Sequence, residues 1–317
     1  MAGRNGALNA AFDNWQRGTS FTPTGATNQY TADRWQIYRG IGAATFSRQS
    51  AGLNGFTYNI RGQRNSSDAN TNPLYLMYSM ETADSLRYLG KSVTLSFWAR
   101  AGANYSATSS LLNSSIVTGT STDLNQLSWT GYSVVATQNF TLTTSWQRFS
   151  YTTTFGTGFT QTGFRWEFDP TGTAGANDYF EITGVQFEIG SVATSFQTAT
   201  GTLQGELAAC QRYYYRLTTT SAQGPLASFA YAASSAEADG LVSLPVTMRI
   251  TPSAIDYSGL QFRSYNGSTF AMSSVTLYYS NPETAWIYGT VSGATAGTTG
   301  IINGTSSAGY LGFTAEL

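Results

Sequence analysis

The chain has 317 residues, enough for one or two domains of ordinary size, and its formal net charge is −1. Charged residues make up 10% of it, against about 25% in a typical soluble domain, and they form no basic cluster of the kind that binds nucleic acid. It has no histidine and one cysteine, which excludes histidine-dependent nucleophilic and zinc sites and any internal disulfide, and no apolar run approaches the roughly 18–20 residues of a membrane helix.

The first half of the chain predicts a series of strands. Tyrosine, phenylalanine and threonine favour strands, and the 33 glycines, with serine and asparagine, favour turns. About eight to ten strands at irregular spacing indicate a jelly-roll sandwich. Residues 102–139 are rich in serine, threonine and asparagine, and we expect long loops there around one or two strands. The predicted segments are Ala10–Gly25 (a strand and then a loop), Thr31–Tyr38, Phe56–Arg61, Leu74–Glu81, Ser92–Arg100, Phe140–Leu142, Trp146–Thr154, Gly163–Phe168 and Tyr179–Ile189.

One helix separates the two halves. Its predicted span is Thr202–Arg212, with Thr202 as the N-cap and Glu206 in the first turn, where negative charge suits the helix dipole. Alternation resumes after the helix, and Pro245 marks the run Leu244–Ile250 as an edge strand. The other strands predicted here lie around Tyr213–Leu217 and Phe229–Tyr231 and at Gly259–Tyr265, Val275–Tyr279, Ala285–Val291 and Tyr310–Leu317.

These elements predict an all-β protein of two domains. An N-terminal jelly-roll β-sandwich covers residues 1–198, and a C-terminal β-domain, a smaller sandwich or barrel, covers 199–317. The short linking helix lies at about 202–212. Because the first residues contain no apolar signal region, we expect synthesis in a cytosol without export by a standard route.

The acidic residues are the only side chains that could form a catalytic set. Asp178, Glu181 and Glu188 lie close together in sequence, and a glycosidase needs two carboxylates about 5–10 Å apart. We interpret them as solvent-facing positions that alternate with apolar ones. A calcium site is the second interpretation and catalysis is the third. We therefore predict no catalytic residue, no metal site and no cofactor.

Aromatic residues provide the candidate ligand-binding site. Trp286 and Tyr288 share one face of a strand in the C-terminal domain, and Tyr278 lies on the preceding strand. Flat rings stack on sugars, although aromatic residues in strands are more often part of a core. We take these three as ligand-binding residues, with packing as the alternative. The tryptophans expected in the core are Trp15, Trp35, Trp98, Trp146 and Trp166.

Seven segments, in order along the chain, carry a resemblance to a known protein family. They are Asn9–Phe21, Tyr30–Trp35, Gly90–Arg100, Ser145–Arg148, Gln186–Phe196, Cys210–Tyr214 and Gly309–Leu317. Together they resemble virion proteins of tailed bacteriophages, in particular tail-fibre and related appendage proteins. The first five resemble a jelly roll of the carbohydrate-binding-module type, and the last two resemble the joint and the end of the module that follows.

The resemblance implies a non-enzymatic structural protein of a phage virion, made in the host cytoplasm. The expected role is that of a fibre or appendage subunit, with host-surface carbohydrate as the candidate ligand. Expected partners are other virion proteins and two further copies of the chain, in a homotrimer whose interface comes mostly from the second domain. Nucleic acid and membrane insertion are not expected.

Two other functions stay open. A capsid decoration, cement or head-fibre protein fits the modest length of the chain, and hundreds of copies per particle would distinguish it from a fibre present in a few tens. A glycan-degrading tailspike enzyme is the third reading, because carboxylates suffice for that chemistry. Against it, the chain lacks the regular repeat of a β-helix and a convincing acid pair.

Overall fold

The computed structural model describes residues 3–23 and 27–317 and shows an all-β protein, with 48% strand and 7% helix. The chain forms two compact units. The first runs to Leu207 and includes Leu317, and the second comprises Ala208–Glu316. The predicted fold class, an all-β protein with an N-terminal jelly roll, a short helix and a smaller β-domain, is confirmed.

The first unit is a sandwich of two antiparallel six-stranded sheets. Its strands are β1 (Ser20–Phe21), β2 (Thr27–Tyr30), β3 (Gln36–Arg39), β4 (Ala44–Leu53), β5 (Phe56–Arg64), β6 (Leu74–Ser79), β7 (Ser92–Ala101), β8 (Leu111–Gly119), β9 (Ser133–Thr141), β10 (Gln147–Thr154), β11 (Gln161–Phe168) and β12 (Tyr179–Ile189). The strand order is β1-β4-β5-β12-β7-β10 in the first sheet and β2-β3-β6-β11-β8-β9 in the second. The chain crosses repeatedly between the sheets, as it does in a jelly roll. The helical segments are α1 (Thr82–Ser85) and 3-10 turns at Leu86–Tyr88, Thr108–Ser110 and Gln126–Ser128.

Aromatic rings fill the space between these two sheets. Trp166 on β11 is fully buried, and its ring centroid lies 5.0 Å from that of Phe97 on β7 and 6.0 Å from that of Trp35. Each such pair adds about 0.5–1.5 kcal/mol beyond the burial of apolar area. Five tryptophans were expected in the core. Trp15, Trp35 and Trp166 are buried, and Trp98 and Trp146 are half-buried.

Residues 102–139 contain the one or two strands expected there, β8 and most of β9, with longer connections before and between them. Several of their outward positions carry serine, threonine or asparagine, so the bounds of the two strands could not be predicted. Other parts of the first unit differ from the prediction. The strands β2 and β4 were not predicted, and of the strand predicted at Thr31–Tyr38 only the last three residues lie in a strand, β3. Phe12 and Trp15 lie in an irregular segment and not in a strand, and residues 24–26 of the predicted loop lie outside the described residues.

The helix α2 (Leu203–Gln211) begins as predicted. Thr202 Oγ1 accepts a hydrogen bond from the backbone N–H three residues later, at 3.0 Å, and so caps the first turn. Glu206 is 2% exposed and accepts from the backbone N–H groups of Asn9 and Thr200, both at 2.7 Å. Among the helices of the described residues, none has the length and apolar character needed to cross a membrane.

The second unit packs a three-stranded sheet and a seven-stranded sheet around one core. Its strands are β13 (Tyr214–Thr218), β14 (Pro225–Ala232), β15 (Glu237–Ser243), β16 (Ala254–Ser258), β17 (Leu260–Ser264), β18 (Thr269–Ala271), β19 (Ser274–Asn281), β20 (Thr284–Thr290), β21 (Thr299–Gly304) and β22 (Tyr310–Thr314). The orders are β13-β22-β16 and β18-β17-β21-β14-β15-β20-β19. Phe262, Ile287 and Phe313 are fully buried in the core.

The edge strand predicted at Leu244–Ile250 is wrong. The strand β15 ends at Ser243, and the following residues are irregular. Pro245 has no N–H to donate, and the backbone bonds of this segment to the β19–β20 turn come from the N–H groups of Leu244 and Met248, at 2.9 and 2.8 Å. The strands β15, β16, β18 and β21 were not predicted.

Candidate functional site

The acidic residues expected to face solvent are buried and paired, so that expectation is wrong. Asp178 and Glu181 are fully buried, and Glu188 is 1% exposed. Asp178 Oδ2 lies 2.8 Å from Arg64 Nη1, and Glu181 Oε1 lies 2.7 Å from Arg61 Nη2. These carboxylates therefore stabilise the first unit. In residues 3–23 and 27–317, His, Cys, Asp and Glu side chains form no group of three or more that could hold a metal ion.

The three aromatic residues predicted as ligand-binding come together on one face of the seven-stranded sheet. Trp286 and Tyr288 are half-buried on β20, and Tyr278 on β19 is 52% exposed. The ring centroid of Tyr278 is 6.1 Å from that of Trp286 and 5.7 Å from that of Tyr288. Tyr279 lies beside them, with its centroid 4.1 Å from that of Tyr278. A ligand-binding role for the three residues stays a prediction.

A second candidate, on the first unit, is a row of side chains on the outer face of the second sheet. Alternate residues of β11 point into the core, so Glu167, between two of them, points outward. Its direct neighbours across the strands are Tyr75 on β6 and Asn113 on β8. The row continues to Tyr38 on β3 and Asn139 on β9. We call these five residues the outer row.

A cavity of about 350 Å³ opens at one end of the outer row. This volume falls within the range of small-molecule sites, about 300–1,000 Å³. Asn113, Asn139, Glu167 and Asp169 contribute polar groups to its wall. Asn113 Nδ2 donates to Asn139 Oδ1 at 2.9 Å, which orients the two amides relative to each other. The other lining residues are Ala107, Thr108, Leu111, Pro170 and Thr171.

Glu167, the charged residue of the outer row, is held in place by Tyr75 and Arg165. The Tyr75 hydroxyl donates to Glu167 Oε1 at 2.5 Å, and Arg165 Nη2 lies 3.9 Å from Glu167 Oε2. The Arg165 guanidinium also lies over the Tyr75 ring, 5.2 Å from its centroid. Burial raises the pKa of both Glu167 and Asp169. Burial and the bond to Glu167 also raise the pKa of Tyr75, so its hydroxyl stays a donor at neutral pH.

This arrangement suits a ligand rich in hydroxyl groups. Carboxylates accept hydrogen bonds, and each amide both donates and accepts. The rings of Tyr38 and Tyr75, whose centroids are 5.8 Å apart, add an apolar surface beside the polar groups. Sequence reasoning missed the outer row because its members come from five strands. The available signal was Glu167, a charged side chain between the apolar residues Trp166 and Phe168 of β11.

No family model matches the chain, and no curated protein matches it. Solved structures that are similar to it include a family 4 carbohydrate-binding module, at 18% identity and a TM-score of 0.35, over 57% of this chain and 98% of that one. Another is a family 22 xylan-binding domain from Paenibacillus barcinonensis, at 10% identity and a TM-score of 0.33, over 61% and 99%. A third is the enzymatically active domain of tailspike protein 4 of bacteriophage CBA120, at 10% identity and a TM-score of 0.35. That match covers 58% of this chain and only 21% of the tailspike chain. Because all three TM-scores are below 0.5, the fold assignment rests on the sheet topology described above.

Proposed function

We propose that this protein is a non-enzymatic structural subunit of a phage virion, of the fibre or appendage type, and that it binds host-surface carbohydrate. The binding site is the cavity beside the outer row. The observation that carries this proposal is the meeting of Asn113, Asn139, Glu167 and Asp169 around a cavity of about 350 Å³. Sugar hydroxyls donate and accept hydrogen bonds, and this wall offers partners for both.

The charge of the cavity favours neutral over acidic glycans. Two carboxylates, Glu167 and Asp169, line it, and Arg165 compensates one of them in part. A carboxylate on a uronic or sialic acid would be repelled by like charge, whereas a neutral hexose would not be. A ligand with acidic sugars at the contact point would therefore bind more weakly than its neutral counterpart.

The virion part of the proposal is supported by the sequence resemblance and by the low charge of the chain. The subunit would act as a homotrimer beside other virion proteins. Light scattering of the purified chain tests the trimer, and a monomer would contradict it. Quantitative mass spectrometry of particles tests the role. A few tens of copies or fewer support a fibre, and hundreds support the alternative of a capsid decoration protein.

Binding is tested by screening the full chain against host-surface polysaccharides and measuring affinity by calorimetry. Tyr75→Ala and Glu167→Gln should each weaken binding about tenfold or more. Tyr58→Ala is the matched control, because Tyr58 is a half-buried tyrosine on the other sheet, with Arg48 over its ring as Arg165 is over that of Tyr75. Equal losses in the Tyr58 and Tyr75 variants, or no binding to any host glycan, would contradict the proposed site.

A separate assay tests whether the chain cleaves the polysaccharide that it binds. Incubation of the chain with the bound polysaccharide should release no new reducing ends. Turnover that disappears in Glu167→Gln or Asp169→Asn would overturn the non-enzymatic assignment and identify those two carboxylates as a glycosidase pair.

A further inference from the structure

The second unit has a small aromatic pocket on the face of the seven-stranded sheet that points away from the core. Two successive cross-strand rows on β14, β15 and β20 form this face, Phe229, Leu241 and Trp286 in one and Tyr231, Asp239 and Tyr288 in the next. The pocket has a volume of about 90 Å³ and is lined by Phe229, Tyr231, Trp286, Leu241, Asp239 and Gly240. Phe229 is 53% exposed and Leu241 is 42% exposed.

The wall of the pocket includes an acidic residue whose buried carboxylate has no counter-ion among the described residues. Asp239 is 5% exposed, and its Oδ1 has no hydrogen-bond partner among the described residues. No ion pair within residues 3–23 and 27–317 involves Asp239 or Glu237, which precedes it by two positions on β15. A buried carboxylate without a cation is costly. The uncompensated charge of Asp239 therefore lowers the stability of the fold, and a bound cation would offset this loss.

The negative charge acts on the aromatic groups around it. The Asp239 carboxylate, as a hydrogen-bond acceptor and as a negative charge, raises the pKa of Tyr231, and Glu237 acts in the same direction. Aromatic faces also attract cations through the ring quadrupole, and sets of rings are the usual way in which proteins hold methylated ammonium groups. Carboxylate and rings therefore favour the same kind of ligand.

Size and surface chemistry narrow the ligand further. A volume of about 90 Å³ is well below the roughly 300–1,000 Å³ of sites that enclose a whole small molecule, so the pocket accepts one head group. The atoms exposed to its open space are apolar, so Asp239 would act on a bound ligand through its charge and not through direct contact, and a sugar would find few hydrogen-bond partners there. A quaternary methylated ammonium group has a positive charge covered by apolar methyl groups, and it needs no hydrogen-bond partner.

We propose that this pocket binds a quaternary ammonium head group of the choline type, with Phe229, Tyr231 and Trp286 around the methyl groups and Asp239 as the counter-charge. This goes beyond carbohydrate binding by the first unit and does not depend on it. Of the three aromatic residues predicted from sequence, the site uses Trp286, whereas Tyr278 and Tyr288 lie outside its lining.

The test titrates the full chain with choline chloride and with the neutral isostere in which carbon replaces the ammonium nitrogen. Choline should bind about tenfold more tightly than the isostere or better. Asp239→Asn keeps the shape and removes the charge, so it should weaken choline binding about tenfold and leave the isostere unchanged. Trp286→Leu should weaken both. The control is Tyr265→Ala, at an exposed tyrosine outside this pocket, and should change neither.

The outcomes are separable. Equal affinity for choline and its isostere, choline binding that survives Asp239→Asn, or no choline binding by a chain whose circular dichroism is that of the folded protein would each overturn the proposal. If choline binds as expected, two further arms identify its source. Capture of the chain by phosphocholine-bearing polysaccharide indicates a cell-wall polymer, and co-sedimentation with phosphatidylcholine vesicles indicates a lipid surface.

Discussion

The ion pair between Arg64 and Asp178 makes the replacement of Asp178 by alanine a stringent test of how the first unit is held together. Both side chains are fully buried, and Arg64 Nη1 lies 2.8 Å from Asp178 Oδ2. Asp178 also accepts from the backbone N–H and the hydroxyl of Ser106, at 2.9 and 2.8 Å. The alanine variant would leave a buried guanidinium without its counter-ion and several donors without their acceptor.

The expected loss follows from what Arg64 retains. Removing one partner of a buried ion pair costs about 3–5 kcal/mol. Arg64 Nη2 would keep its bonds to the backbone carbonyls of Asp68, Asn70 and Gly172, at 2.7, 2.9 and 2.9 Å, and these partly compensate its charge. We therefore expect the free energy of unfolding to fall by about 3 kcal/mol, the lower end of that range.

The assay is urea unfolding followed by tryptophan fluorescence. Six of the seven tryptophans precede residue 200, so the signal reports mainly on the first unit. Thr144→Ala, at an exposed position between β9 and β10, should change the free energy of unfolding by less than about 0.5 kcal/mol. The double variant Asp178→Ala, Arg64→Met should lose less free energy of unfolding than the two single variants lose together, by more than about 1 kcal/mol. Strictly additive losses, or an Asp178→Ala protein as stable as the parent, would show that the ion pair does not stabilise the first unit in this way.

Three more predictions concern the first unit. Glu206→Ala removes the acceptor of two backbone N–H groups and should lower the free energy of unfolding by about 2–4 kcal/mol, and Glu206→Gln by less; a reversed order of urea midpoints would contradict this. Trp166→Ala opens a cavity beside Trp35 and Phe97 and should cost about 3–5 kcal/mol, with a changed near-UV circular dichroism spectrum; an unaltered spectrum would count against the packing described. Burial raises the pKa of Glu167 above the ordinary 4.5, so the folded chain binds this proton more tightly than the unfolded chain. The free energy of unfolding should therefore fall as the pH rises from 4.5 to the raised pKa of the folded chain. Glu167→Gln should remove this part of the slope, and identical slopes would show that the carboxyl is not perturbed.

Features encoded by neighbouring residues could be predicted from the sequence. Strands such as β7 and β12 were predicted because alternation along a few residues is itself the cause of a two-sided strand. The start of α2 was predicted because Thr202 caps a helix through its own side chain. The failures were of two kinds. The bounds of β8 and β9 could not be predicted because several of their outward residues resemble turn residues, and at Leu244–Ile250 the alternation is real but no neighbouring strand pairs with it.

Local patterns were enough to predict that the protein is all-β, where its helix begins and which strand faces are apolar, because these features depend on periodicity and capping. The partners of the polar residues depend on the tertiary structure. Asp178 is buried because Arg64, 114 positions away, meets it, and Tyr75 contacts Glu167 because pairing of β6 with β11 brings together residues 92 positions apart. A carboxylate on a strand looks the same in sequence whether it faces water, an arginine or a ligand. Its partner is set by the register of strands distant in the chain, and local patterns carry no information about that register.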